Sequence, residues 1–118
     1  MKSMLEGIRV LDFTANVSGP AATVLLADMG AEVIKIERST GEDARIFPPY
    51  KNGFSAPFVV MNRGKKAITL DLKTAEGKQI FRDLVAESDV LVENYKPGVM
   101  KRLGLDYDTL TEINPKLI

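Results

Sequence analysis

The sequence predicts an α/β protein: an open parallel sheet with helices packed on it, incomplete on its C-terminal side. Three observations predict this. Short β-branched runs alternate along the chain with segments of helical character. The first strand and helix are joined by a short turn carrying Gly19-Pro20, and a second strand follows directly after Gly30. Leu117-Ile118 read as the opening of a further strand.

Ile8–Phe13 is the first predicted strand, short and rich in branched residues. Residues 14–20 form a turn in which Ser18 or Gly19 can cap a helix and Pro20 suits its first position. That helix runs to about Met29 on an apolar body of Ala21, Ala22, Val24, Leu25, Leu26 and Met29, and Gly30 stops it. Glu32–Glu37 is the second strand. Strand, helix and strand make a βαβ unit, for which a right-handed parallel crossover is expected. Residues 38–64 carry Gly41, Pro48, Pro49, Gly53, Pro57 and Gly64 and read as a long irregular connection. Phe54, Phe58, Val59, Val60 and Met61 are expected to anchor it, as a short helix. Lys66–Leu72 is the third strand, and its alternation suits one wetter face or an edge. Thr74 caps a helix from Ala75 to Ala86 that is expected to bury Ile80, Phe81, Leu84 and Val85. Asp89–Glu93 is the fourth strand. Pro97 starts a short helix ended by Gly104, and Asp106 caps another through Ile113. The order of elements is Rossmann-like.

Composition narrows the chemistry. The chain has 118 residues, 45% of them hydrophobic and 27% charged, which suits one globular domain or a piece of a larger one. Sixteen basic and sixteen acidic residues give zero net charge, so no overall field draws it to nucleic acid or to an anionic membrane. No apolar run approaches the roughly 20 residues of a membrane span, and the N-terminus has no apolar signal core. A cytoplasmic location is the default expectation. There is no cysteine and no histidine. That removes disulfides, thiolate and imidazole metal sites, thiol nucleophiles and Ser-His-Asp machinery, and no metal is expected.

Ligands of such sheets bind beyond the carboxyl ends of the strands, where the turns 14–20, 38–45 and 94–98 lie. The first turn lacks G-x-G-x-x-G, which argues against a dinucleotide even though Glu37 stands where a ribose-binding acid would. Arg38 reads as a solvated charge paired with Glu37 or Asp43, or as a guanidinium fork for phosphate. Asn62–Lys66 is a solvated turn or a contact for a polyanionic ligand. Asn94-Tyr95-Lys96-Pro97-Gly98 suits a ledge for a heteroaromatic ring and a phosphate, or a packed loop with Asn94 in an Asx turn. Asp12 alone is too little for a phosphoacceptor domain, which needs an acidic cluster.

Several segments in register resemble class III CoA-transferases, the family of carnitine CoA-transferase, formyl-CoA transferase, the bile-acid-inducible transferases and α-methylacyl-CoA racemase. They are Leu5–Thr14, Gly19-Pro20-Ala21, Leu26–Glu37, Asn62–Lys66, Leu70–Lys73, Asp89–Gly98 and Leu103-Gly104-Leu105. The resemblance spans nearly the whole chain and is weakest over residues 39–57. It implies that residues 1–118 are the N-terminal portion of a large Rossmann-like CoA-binding domain, with the catalytic aspartate segment and the small domain outside them. It implies coenzyme A as the acyl carrier, an acyl-CoA and a carboxylic acid as substrates, and a homodimeric parent. Arg38 matches a position beside the adenine and nucleotide phosphates. Leu72 and Lys73 match positions lining the same pocket, and Arg102 one facing the phosphates. Asn94 and Tyr95 match contacts to the pantetheine and diphosphate, and Val17 and Ser18 the turn facing the thioester.

Two departures stand out. Val17 replaces the glutamine of formyl-CoA members, and Lys96 replaces the usual arginine, losing its bidentate fork. No residue of the chain matches the family's catalytic groups, so the chain alone is expected to be inactive. A racemase of the same family and a non-enzymatic ligand-binding module are the alternative readings.

Overall fold

The computed structural model describes residues 1–118. Strand β1 (Arg9–Phe13) leads through helix α1 (Ser18–Asp28) to β2 (Glu32–Glu37). A 3-10 turn (Asp43–Ile46), a small hairpin of β3 (Tyr50–Lys51) and β4 (Phe54–Ser55), and α2 (Ala56–Asn62) follow. Then come β5 (Lys66–Thr69), α3 (Ala75–Ala86), β6 (Val90–Glu93), α4 (Val99–Leu103) and α5 (Tyr107–Ile113). The main sheet has the order β5-β2-β1-β6, all parallel, with β5 at an edge as its alternation suggests. Ile118 donates its N–H to the Asp89 carbonyl and accepts from Leu91 N–H, so the chain runs beside β6 where a strand was expected to open. No helix is long and apolar enough to cross a membrane.

Strand residues alternate between two faces. Leu11, Phe13 and Ile36 pack with Phe81 and Val85 of α3, Leu105, and Leu110 of α5. Val10, Ala31 and Val33 form the opposite cluster, with Leu26 and Ala27 against it. Each fully buried large side chain contributes about 1.5–3 kcal/mol, so the two faces together hold the sheet. Asp12 and Lys35 alternate onto the α1 face, as cross-strand register partners.

Several expectations need correction. The connection after β2 is largely structured rather than irregular. The hairpin turns through Asn52 and Gly53, both at positive φ, the backbone of a type I′ turn. α2 forms, but it buries none of its residues; Phe54, Val59 and Val60 are exposed, so they do not anchor it. Its end is capped instead by the Ser55 hydroxyl, which accepts from Phe58 N–H. α1 starts at Ser18, so Pro20 is its third residue, still within the turn where an N–H has no intrahelical partner. Leu25 of α1 and Met29 at its C-cap are exposed, and Gly19, Pro20, Thr23 and Val24 make its buried side. In α3 the buried stripe is Gly77, Phe81 and Val85 at i, i+4 spacing, which turns Ile80 outward. The third strand ends at Thr69, three residues early, because Asp71 begins the turn that caps α3. α4 starts at Val99, with Gly98 in the left-handed region as its N-cap, so Pro97 precedes the helix.

Candidate functional site at the switch point

β2 and β6 lie on opposite sides of β1. The turns leaving β2 and β6 therefore stand on either side of the β1 turn and leave a crevice at the carboxyl ends of the strands, the place where open α/β sheets take ligands. Two cavities open there. One, of about 410 Å³, lies between the Thr14–Asn16 turn, Arg38, Glu42, Asp43 and the Asn94–Lys96 turn. The other, of about 440 Å³, is floored by Phe13, Leu70, Leu72 and Leu103, with Arg38 and Lys73 at its rim. Arg38 and Tyr95 line both.

Each wall is positioned by an identifiable interaction. Tyr95 rests on Phe13 with ring centroids 4.7 Å apart, and Phe13 meets Phe81 edge-on at 5.4 Å. Burial pushes the Tyr95 phenol above its ordinary pKa, against the opposing charge of Arg38. The Asp71 carboxylate accepts from Lys73 N–H at 3.0 Å, and the Asp71 carbonyl accepts from the Thr74 hydroxyl at 2.8 Å. Thr74 in turn accepts from Gly77 N–H, so the turn carrying Leu72 and Lys73 is welded to the start of α3. Asn94 makes no Asx turn. Its Oδ1 accepts from Ala15 N–H at 2.9 Å and its Nδ2 donates to Ala15 O at 2.8 Å, tying the two turns together across the crevice.

Beneath this rim lies a buried ionic cluster. Asp12 and Lys35 are 0% and 1% exposed. Asp12 accepts from Lys65 Nζ at 2.7 Å, Thr23 Oγ1 at 2.7 Å, Thr14 N–H at 3.1 Å and the Thr14 hydroxyl. Lys35 Nζ lies 2.6 Å from a Glu42 carboxylate oxygen and donates to the Thr14 carbonyl at 3.2 Å. Burial alone would raise the Asp12 pKa; the charge of Lys35 and the bonds from Lys65, Thr14 and Thr23 outweigh it and hold the carboxyl below its usual range. Burial dominates at Glu42, pushing it up, and at Lys65, pushing it down. Glu37 is buried yet held low by Arg45, which donates two hydrogen bonds at 2.7 and 2.6 Å, and by Glu42 N–H.

The crevice thus brings together Arg38, Leu72, Lys73, Asn94 and Tyr95. Ser18 stands beside it, its Oγ 3.4 Å from Asn94 Nδ2. Val17 is exposed at the N-cap of α1 and Arg102 lies against Gly98; neither lines a cavity. Glu37 is closed on Arg45 and is not free to meet a ribose. The Asn62–Lys66 run is no open basic patch: Lys65 is buried on Asp12, Arg63 pairs with Asp28, and Lys66 pairs with Glu32. No group of three or more acidic side chains is placed to hold a metal. Sequence reasoning missed the Asp12–Lys35–Lys65–Glu42 cluster. Its signal was a charge of opposite sign inside each of two central strands.

The sheet order and the flanking helices define a Rossmann-like α/β fold. The chain belongs to CoA-transferase family III, whose sequence profile matches residues 5–118. It is 45% identical to acetyl-CoA:oxalate CoA-transferase of Acetobacter aceti, over 99% of this chain and 30% of that protein. It is 46% identical to succinyl-CoA:glutarate CoA-transferase of Mus musculus, over 97% and 27%. The crystal structure of a CAIB/BAIF family protein from Brucella suis superposes with a TM-score of 0.93 at 41% identity, covering 100% of this chain and 32% of that one. The chain therefore spans about 30% of the length of the curated relatives it matches.

Proposed function

We propose that this chain is the CoA-binding N-terminal part of a CoA-transferase, which moves CoA between an acyl-CoA thioester and a carboxylic acid. The observation that carries this is the pair of cavities joined at Arg38 and Tyr95. The apolar floor of Phe13, Leu72 and Leu103 suits an adenine, and the adjacent Arg38 and Lys73 suit its phosphates. The second cavity leads toward the start of α1 and suits the pantetheine arm, with Val17 and Ser18 beyond it near the thioester. Asn94 serves this site chiefly by fixing the Ala15 turn. Arg102 takes part from the rim, near the helix start at Gly98.

The reacting carboxylate, an aspartate in this reading, lies outside residues 1–118, and the chain alone does not turn over. That carboxylate attacks the thioester carbonyl and expels CoA thiolate, leaving a mixed anhydride. The thiolate then attacks the aspartyl carbonyl, giving an aspartyl thioester and releasing the donor acid. An acceptor carboxylate reverses the two steps. The named relatives transfer CoA, which favours transfer over racemisation at the α-carbon. The homodimer of the whole protein belongs to the same proposal.

Isothermal titration of the chain tests this. CoA is expected to bind saturably between about 1 μM and 1 mM, more tightly than dephospho-CoA. Arg38→Ala is expected to weaken CoA about tenfold, the loss of one charge-assisted contact. Equal affinity for CoA and dephospho-CoA would remove the 3′-phosphate from Arg38. No heat from a folded sample would remove the site itself.

A further inference from the structure

One edge of the Arg38 guanidinium, Nε with NH2, is already occupied. Its Nε donates to the Gly41 carbonyl at 2.8 Å and its NH2 donates to the Asp43 carboxylate. Both side chains are well exposed, at 63% and 59%. The turn that carries Asp43 is held on either side. Gly41, at φ +77°, closes the turn with its N–H on Arg38 O at 2.9 Å, and a side chain there would meet Arg45. Arg45 is fixed by its two bonds to Glu37 and by stacking 4.1 Å over the Phe58 ring. Asp43 opens the 3-10 turn between these anchors and borders the same cavity as Arg38.

We propose that Asp43 is an affinity-setting residue, an internal anion that occupies the Arg38 guanidinium until a ligand phosphate displaces it. A guanidinium binds phosphate bidentately through two parallel N–H groups of one edge, and here the Nε–NH2 edge is already filled. An exposed ion pair is weak, so the competition is one that a phosphate can win. It lowers affinity for every anion at this position and so favours ligands that bring further contacts over free phosphates. The identity of the phosphate as part of CoA rests on the function proposed above; the competition itself does not.

The test is titration of the wild-type chain and Asp43→Asn at low salt with inorganic pyrophosphate, CoA and dephospho-CoA. Asp43→Asn is expected to bind pyrophosphate and CoA about two- to fivefold more tightly, with dephospho-CoA unchanged. Asp43→Glu, which keeps the charge, is expected to stay within about twofold of wild type. Unchanged or weaker binding of both anions by a folded Asp43→Asn protein overturns the proposal. Tighter pyrophosphate with no CoA binding by either protein upholds the competition and removes the CoA reading. Equal tightening toward dephospho-CoA upholds it too, and reassigns Arg38 to the diphosphate. Failure of both proteins to bind any of the three overturns both.

Discussion

Lys65 is the residue whose removal should cost most. Its ammonium, 1% exposed, lies on Asp12, the Asn62 amide oxygen and the Pro20 carbonyl. Lys65→Met fills the space but removes the one cation hydrogen-bonded to the Asp12 carboxylate, leaving Lys35 at 4.0 Å, and breaking a buried pair costs about 3–5 kcal/mol. The deficit should depend on pH. Asp12 and Glu37 have native pKa values below their ordinary ones. Their stabilisation is therefore complete above about pH 4 and is lost as pH falls through the native values. Glu42 is raised, so its contribution has the opposite sign: it favours the fold in acid and fades as pH rises through its native value. Urea unfolding of wild type and Lys65→Met from pH 7 to 3 checks this. The variant is expected to lose about 3–5 kcal/mol at pH 7, and less as pH falls, because Asp12 without Lys65 takes up its proton more readily than in wild type. A constant gap would show that packing, not charge, is what Lys65 supplies. Arg38 and Tyr95 were legible in the sequence because they sit at strand ends, where ligands are sought. Asp12 and Lys35 were not, because a lone charge inside a strand does not name the partner that register supplies.

At the scale of elements, the critical join is between the β5–α3 turn and the start of α3. Gly77 lies in the first turn of α3, and a Cβ there would come within 2.0 Å of the Asp71 carbonyl oxygen. Helix propensity alone would make Gly77→Ala stabilising by about 1 kcal/mol. Overpacking against backbone costs about 1–3 kcal/mol and cannot be relieved by a rotamer, so the substitution should destabilise. It should also weaken CoA, because the turn it displaces carries Leu72 and Lys73. Thermal unfolding and titration of the same variant check both effects, and a stabilised Gly77→Ala would show that α3 shifts freely. Strands and caps such as Thr74 were legible because branched runs, cap residues and helical spacing are local signals. The β3–β4 hairpin was not read, although Asn52-Gly53 marks its turn, since two-residue strands show no periodicity. Ile80 was misplaced for a related reason: apolar character does not tell which of two adjacent flanks faces the sheet until the helix is docked.

For the whole molecule the governing quantity is charge balance. The chain carries 16 basic and 16 acidic residues. The crevice has no excess of cations either, with Arg38, Lys73 and Lys96 set among Glu37, Glu42, Asp43 and Asp71. The cations to which the proposed function assigns the phosphates are therefore flanked by anions that offset their field a few ångströms out. Screening reaches about 10 Å at 0.1 M salt, so little long-range attraction remains for salt to weaken. Steering should be slight, and CoA should associate at a rate that scarcely responds to ionic strength. Contacts within the crevice, by contrast, set the lifetime of the complex, and weakened ion pairs should appear as faster release. Stopped-flow measurement between about 50 and 500 mM NaCl separates the two. The association rate constant is expected to change by less than about threefold while dissociation accelerates. A tenfold fall in association would mean that the cations act as a collective field, and that Asp43 and Asp71 do not offset them.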